Sequence, residues 1–212
     1  ENSSENKFAV LVASGEIMDG EYAEGAISSE NFSKTLNKID KDKSIKGLFL
    51  RVNSPGGSGF ASEIIRQRLE LLNKKIPIVI SMGDIAASGG YWISMNQNTI
   101  IANPFTLTGS IGVWAALPNF KDSFENVGIL FDKVSTNELN FSLLEPPNDN
   151  LSSFMQSYVD GSYNKFIKLV SKNRQLTIDN TEKIAQGRIW SGKSALQNNL
   201  VDSLGVFQDG IK

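Results

Sequence analysis

The sequence contains neither cysteine nor histidine. The first absence excludes disulfides, thiolate zinc sites and cysteine nucleophiles. The second excludes histidine metal sites and the Ser-His-Asp arrangement. Any serine nucleophile here needs another base, and the usual one is a lysine whose pKa is lowered by burial. No apolar run approaches the ~18 residues of a membrane helix. The start, Glu1-Asn2-Ser3-Ser4-Glu5-Asn6-Lys7, is polar and reads as neither a signal peptide nor a membrane span. It also lacks a methionine, which suggests a processed product or an excised piece of something longer. Neither sign of charge is in excess: 21 Lys and Arg against 23 Asp and Glu give a net charge of -2 at pH 7. The basic residues are scattered rather than striped, which sets nucleic acid aside.

What is present reads as globular. At 212 residues, 40% hydrophobic and 21% charged, the chain is long enough to bury a core and ordinary in composition. Residues 1–7 are expected to be a disordered leader and residues 8–212 a single domain. The chain centres on Ser81-Met82-Gly83-Asp84-Ile85-Ala86-Ala87-Ser88-Gly89-Gly90-Tyr91-Trp92. An apolar run from Ile76 to Ile80 precedes it as a buried strand, and Tyr91 to Met95 continues as a helix, so Ser88 sits at a small-residue corner between them. Such a corner can hold a nucleophile exposed, with helix N–H groups aimed at a developing negative charge. It can equally be a tight turn in which Ser88 caps the helix.

The rest of the chain alternates strand and helix. Phe8 to Val12 reads as a buried strand, Ser28 or Ser29 caps a helix with Phe32, Leu36 and Ile39 on one face, and Ile45 to Val52 is a second strand. That strand ends in Asn53-Ser54-Pro55-Gly56-Gly57-Ser58-Gly59, where glycines permit positive φ and leave N–H groups pointing outward. An oxyanion hole, a phosphate cradle and a plain turn all fit such a loop, although the lysine of a P-loop and the spacing of a dinucleotide fingerprint are missing. A helix over 61–73 is expected to bury Ile64, Ile65, Leu69 and Leu72, and Thr99 to Ala102 is a further strand. The alternation predicts an α/β fold with parallel strands, whose sites lie at the carboxyl ends of strands, where Gly56, Gly57 and Ser88 all fall. After a turn-rich stretch from Asn103 to Trp114, a short helix over Phe120, Phe124 and Val127 and a strand from Gly128 to Phe131 are expected, then an irregular loop over 135–150. Leu151, Phe154, Met155, Tyr158, Phe166, Leu169 and Val170 mark a long amphipathic helix interrupted near Gly161. Thr177 caps another helix, and Ser191 or Ser194 a last one.

With these residues in view, the chain resembles the signal peptide peptidase family of bacterial serine proteases, also called protease IV. The resemblance rests on Leu50-Arg51-Val52-Asn53-Ser54-Pro55-Gly56-Gly57-Ser58, Ala86-Ala87-Ser88-Gly89-Gly90-Tyr91-Trp92-Ile93-Ser94, Ala102-Asn103-Pro104, Thr108-Gly109-Ser110-Ile111-Gly112 and Lys183-Ile184-Ala185-Gln186-Gly187-Arg188, in the family's order. It implies a Clp protease/crotonase-like fold of repeated strand-strand-helix units with a mostly parallel sheet. It makes Ser88 the nucleophile, Gly56, Gly57 and Gly89 the oxyanion hole, and Ser110 the residue that orients a lysine base. It further implies cleaved signal peptides and other apolar peptides as substrates, no cofactor or metal, and assembly into a homo-oligomeric ring. The implied location is the periplasmic face of the bacterial inner membrane, held by an anchor outside this chain.

The lysine departs from part of the family. Short, single-repeat members carry it after the strand that here includes Ile129 to Phe131, and the corresponding residues from Ser135 to Leu144 contain none. Long members divide the site between tandem repeats. Val134-Ser135-Thr136 and Pro146-Pro147 resemble their second copy, so the expectation is a C-terminal half whose base lies on an N-terminal repeat. Lys121, Lys133 or another lysine reaching Ser88 is the alternative, and each otherwise reads as a solvated surface lysine. Two other readings compete: a non-catalytic scaffold that keeps the fold for assembly, and a crotonase-like acyl-CoA enzyme, for which these motifs lack an obvious acid-base carboxylate.

Overall fold

The computed structural model describes residues 6–21, 25–95, 99–132, 134, 136, 139 and 141–210. Residues 1–5 of the expected leader, and Lys133, lie outside the described residues. The chain divides into two compact units, one of Glu1–Gly112 with Lys165–Lys212 and the other of Val113–Asn164.

The larger unit runs through β1 (Lys7–Ser14), β2 (Ile17–Met18), β3 (Ile27–Ser28), α1 (Ser29–Lys41), β4 (Ile45–Ser54), α2 (Gly59–Asn73), β5 (Ile78–Ala87), α3 (Gly89–Ser94), β6 (Thr99–Ala102) and β7 (Leu107–Gly109). The smaller unit holds α4 (Lys121–Glu125) and the start of α5 (Asp149–Arg174). The end of α5, then α6 (Ile178–Ile184), β8 (Ile189–Ser191), α7 (Gly192–Gln197) and β9 (Ser203–Leu204), return to the larger. Strands β1, β4, β5, β6 and β9 lie side by side in parallel, β7 adds to β5 in parallel, and β8 closes on β7 antiparallel.

The core follows from the apolar pattern. Leu48, Leu50 and Val52 of β4 and Ile78, Ile80 and Met82 of β5 are buried, as are Ile65, Leu69 and Leu72 of α2 and Tyr91 and Ile93 of α3. Helix α3 packs on β4, β5 and α2, and α1 packs on α2. Ser28 caps α1 by accepting the Asn31 N–H, and Ser58 caps α2 through the Ala61 N–H.

Four expectations are corrected. Strand β1 is an edge, and Phe8, Val10 and Val12 are exposed on one of its faces rather than buried. Helix α5 continues through Gly161, where open space and a propensity cost of only about 1 kcal/mol let a glycine stand inside a helix. Residues Gly128 to Phe131 form no strand. The turn-rich stretch after Asn103 contains β7, whose three residues are too few to show a period. Among the described residues no helix is long and apolar enough to cross a membrane.

Strand β5 changes partners along its length. Its first half pairs with β6 at Val79, Ile80 and Ser81, and its last residues pair with β7 at Ile85, Ala86 and Ala87. Between them the register against β4 slips, because Val52 faces Met82 while Ser54 faces Ala86. Side chains fill the gap in the ladder: Asn53 Oδ1 accepts the Ile85 N–H at 3.2 Å, and Thr106 Oγ1 donates to the Gly83 carbonyl at 2.7 Å.

A charged cluster ties α3 to α2. Glu63 accepts from Arg66 at 2.8 Å and from the Trp92 indole at 2.9 Å, and pairs with Lys165 at 3.1 Å. The Trp92 ring rests on Phe166 of α5 with centroids 4.3 Å apart. Burial opposes ionisation of Glu63, but hydrogen bonds from Arg66, Gln67, Trp92 and Lys165 outweigh it and pull its carboxyl from 4.5 down to about 2. A depressed carboxyl stabilises the fold fully above its unfolded value and loses that contribution as pH falls toward the folded value. Stability from this cluster is therefore complete above about pH 4.5 and declines toward pH 2. Glu63→Gln is expected to lower the unfolding free energy at pH 7 by about 2 kcal/mol and to flatten its decline between pH 4.5 and pH 2, read by urea unfolding at each pH.

Candidate active site

Strand β5 ends at Ala87, α3 starts at Gly89, and Ser88 joins them at φ 51 and ψ -119. A side chain at such a backbone position costs roughly 1–3 kcal/mol, and the surroundings hold it there. The Ser88 N–H donates to the Gly109 carbonyl at 2.9 Å, one position beyond the Ala87 to Gly109 pair, and Thr108 Oγ1 donates to the Ala86 carbonyl at 2.7 Å. The Ser88 side chain makes no capping hydrogen bond to α3. The cap reading of this serine is thereby removed, because positive φ turns its hydroxyl out of reach of the helix N–H groups.

The Gly56-Gly57 loop abuts this corner. A Cβ on Gly56 (φ 107) would lie 2.7 Å from the Gly89 nitrogen and 2.8 Å from the Ser88 Cβ, and one on Gly57 (φ 142) would lie 2.1 Å from the Ile17 carbonyl oxygen. Both positions thus exclude any side chain. The hydrogen bonds around the loop can be assigned one by one. The Gly56 N–H donates to Ser54 Oγ at 3.1 Å, the Ile17 N–H donates to the Gly56 carbonyl at 2.7 Å, and the Ser58 N–H donates to the Ile17 carbonyl at 2.8 Å. Because a trans peptide sets its C=O and N–H in opposite directions, the Gly56 carbonyl aimed at Ile17 turns the Gly57 N–H away from Ile17. The nitrogen of Gly57 lies 3.3 Å from where a Cβ on Gly89 would stand. Among the described residues neither the Gly57 nor the Gly89 N–H finds an acceptor. Two free donors, one in the glycine loop and one at the start of α3, thus stand beside Ser88.

Ser110 also has positive φ, at 48, and follows β7 as Ser88 follows β5. The Lys183 to Arg188 stretch holds it: the Ser110 N–H donates to the Arg188 carbonyl at 2.8 Å, and the Gly187 N–H donates to the Ile111 carbonyl at 2.9 Å. The structure thus brings Ser88, Gly56, Gly57 and Gly89 together and sets Ser110 just past the end of the neighbouring parallel strand. Every lysine among the described residues is exposed, and Lys121 pairs with Glu125 at 3.7 Å. Ser54 and Ser62, both fully buried beside the glycines, were not singled out by sequence, since a serine at the end of a strand or in a helix carries no periodic signal.

Comparison with known proteins gives the chain's family and fold. Peptidase family S49 matches residues 70–212. Protease 4 of Haemophilus influenzae is 45% identical over 208 residues, 97% of this chain and 34% of that protein. Protease 4 of Salmonella typhi is 42% identical over 206 residues, 96% of this chain and 33% of that protein. The chain therefore spans about a third of the length of these relatives. Among solved structures, a ClpP1 variant from Listeria monocytogenes matches with a TM-score of 0.65 over 96% of this chain and 94% of that one, at 14% identity. This last likeness shows a Clp protease-like α/β fold, as the motifs predicted. On the family match and on the identity shared with both forms of Protease 4, the chain belongs to peptidase family S49.

Proposed function

We propose that this chain is the serine-bearing repeat of a serine-lysine endopeptidase that cleaves signal peptides already released from their proteins and other apolar peptides. The observation that carries the reading is the strained Ser88 corner with the Gly57 and Gly89 N–H groups unpaired beside it. Ser88 Oγ attacks the peptide carbonyl carbon while an unprotonated lysine amine takes its proton. The oxyanion so formed accepts from the Gly57 and Gly89 N–H groups, a pattern in which one donor contributes ~3 kcal/mol to the step. The peptide C–N bond then breaks, the leaving amine takes the proton back from the lysine, and an ester on Ser88 remains for water to hydrolyse. Gly56 serves by letting the loop approach, since its own N–H is held by Ser54.

The base in this reading comes from an N-terminal repeat, with Ser110 orienting it. Uniform exposure of the described lysines supports an external base, because a general-base lysine needs burial to be neutral near pH 7. The relatives' threefold greater length leaves room for that repeat. The whole protein works at the periplasmic face of the bacterial inner membrane as a homo-oligomeric ring. The same exposure favours one competing reading, a scaffold that has kept the fold without its chemistry.

The 212-residue chain alone is expected to be nearly inactive on a fluorogenic apolar peptide. Adding the N-terminal repeat should restore turnover, and Ser88→Ala should abolish it. Full turnover by the isolated chain would sink the divided site, and failure of the reconstituted protein to react with a serine-directed acylating probe would favour the scaffold. Gly56→Ala forces a methyl against Gly89 and Ser88, and is expected to lower kcat/KM of the reconstituted enzyme about a hundredfold or more.

A further inference from the structure

Two serines outside the proposed mechanism bracket the paired donors. Ser54 ends β4 and Ser62 lies in the first turns of α2, and both side chains are fully buried. A buried hydroxyl is a liability unless it is hydrogen-bonded, and alanine would fill most of the same space without that requirement. Each hydroxyl is committed to the glycine loop. Ser54 Oγ accepts the Gly56 N–H at 3.1 Å, and Ser62 Oγ donates to the Ser58 carbonyl at 2.8 Å, where Ser58 is itself fixed by its N–H to the Ile17 carbonyl.

Each serine also presses on the start of α3. A Cβ on Gly89 would stand 2.5 Å from Ser62 Oγ, and one on Gly90 would stand 2.6 Å from the Ser54 carbonyl oxygen and 3.2 Å from the Ser54 Cβ. Ser54 and Ser62 therefore touch both pieces of backbone that carry a free donor, the Gly56-Gly57 loop on one side and Gly89-Gly90 on the other. We infer that these two serines are positioning residues that set the separation and direction of the Gly57 and Gly89 N–H groups. The inference rests on the reading of those groups as an oxyanion hole. Neither serine meets the substrate. Their effect belongs to the tetrahedral species, whose oxyanion must reach both donors at once, and not to the flat carbonyl of the bound peptide.

The test uses the full-length protein carrying Ser54→Ala or Ser62→Ala, with Ser88→Ala as reference. The readouts are kcat, KM and the inhibition constant of a peptide aldehyde that forms a tetrahedral adduct on the nucleophile. Each variant is expected to lower kcat roughly ten- to a hundredfold with KM within about twofold, and to weaken the aldehyde by a similar factor. The double variant should lose less than the product of the two, because both serines hold one geometry. If Ser54→Ala, which strips the buried Gly56 N–H of its acceptor, does not fold, Ser62→Ala decides alone. In that variant the Ser58 carbonyl keeps the Ser62 N–H at 3.0 Å, so the helix bond survives. Unchanged kcat in a folded Ser62→Ala protein whose Ser88→Ala counterpart is inactive would overturn the positioning role while leaving the nucleophile in place. Equal losses in kcat and substrate affinity would reduce the serine to a structural part. Persistent activity in Ser88→Ala would overturn both readings.

Discussion

The main-chain hydrogen bond from Ser88 to the Gly109 carbonyl is the constraint on which this corner depends. A serine at φ 51 would relax if nothing opposed it. Here its N–H is tied to β7, its carbonyl already accepts the Trp92 N–H in the first turn of α3, and its neighbours on both sides pack against backbone. The hydroxyl is thereby left outside both the strand ladder and the helix. That placement also explains why β5 must exchange β6 for β7: only a strand that follows β5 to its last residue can offer a carbonyl at that point. The irregularity near Asn53, with side chains replacing ladder bonds, is the local cost of the exchange.

A second dependency runs through Ile17. Its N–H and carbonyl clasp the Gly56 carbonyl and the Ser58 N–H, which makes a short outlying segment the template for the glycine loop. The loop's conformation is thus dictated from outside by a buried isoleucine. Its free N–H on Gly57 is a by-product of that clasp, since the two faces of one peptide cannot both point at Ile17.

Much of this was legible in the sequence because it is written in local signals. The apolar runs of β4 and β5, the stripe of Phe32, Leu36 and Ile39 on α1 and the capping residues Ser28 and Thr177 each state their element within a few positions. The small-residue motifs placed Ser88 and the paired glycines at the ends of parallel strands, where they lie. What failed to show depends on distant partners. The run from Phe8 to Val12 is as apolar as a central strand, and only the sheet order reveals it as an edge with one face open. Strand β7 exists because β5 and β8 flank it, and nothing within its three residues announces them. That Gly57 rather than Gly56 keeps a free N–H follows from Ser54 and Ile17, and no motif spacing distinguishes the two glycines.

The return of the chain after α5 also sets the order in which the corner can be completed during synthesis. Arg188 supplies the acceptor for Ser110, Ile189 to Ser191 pair with β7, and Ser203 pairs with Ile101 of β6. Ser88, the glycine loop and β7 all leave the ribosome well before these partners. Pairings so far apart in sequence form late, after the loops between them have been closed. A nascent chain therefore carries Ser88 for some time without the clasp that fixes the neighbouring strand, and the corner is finished only when the stretch from Arg188 to Leu204 has folded back onto the sheet.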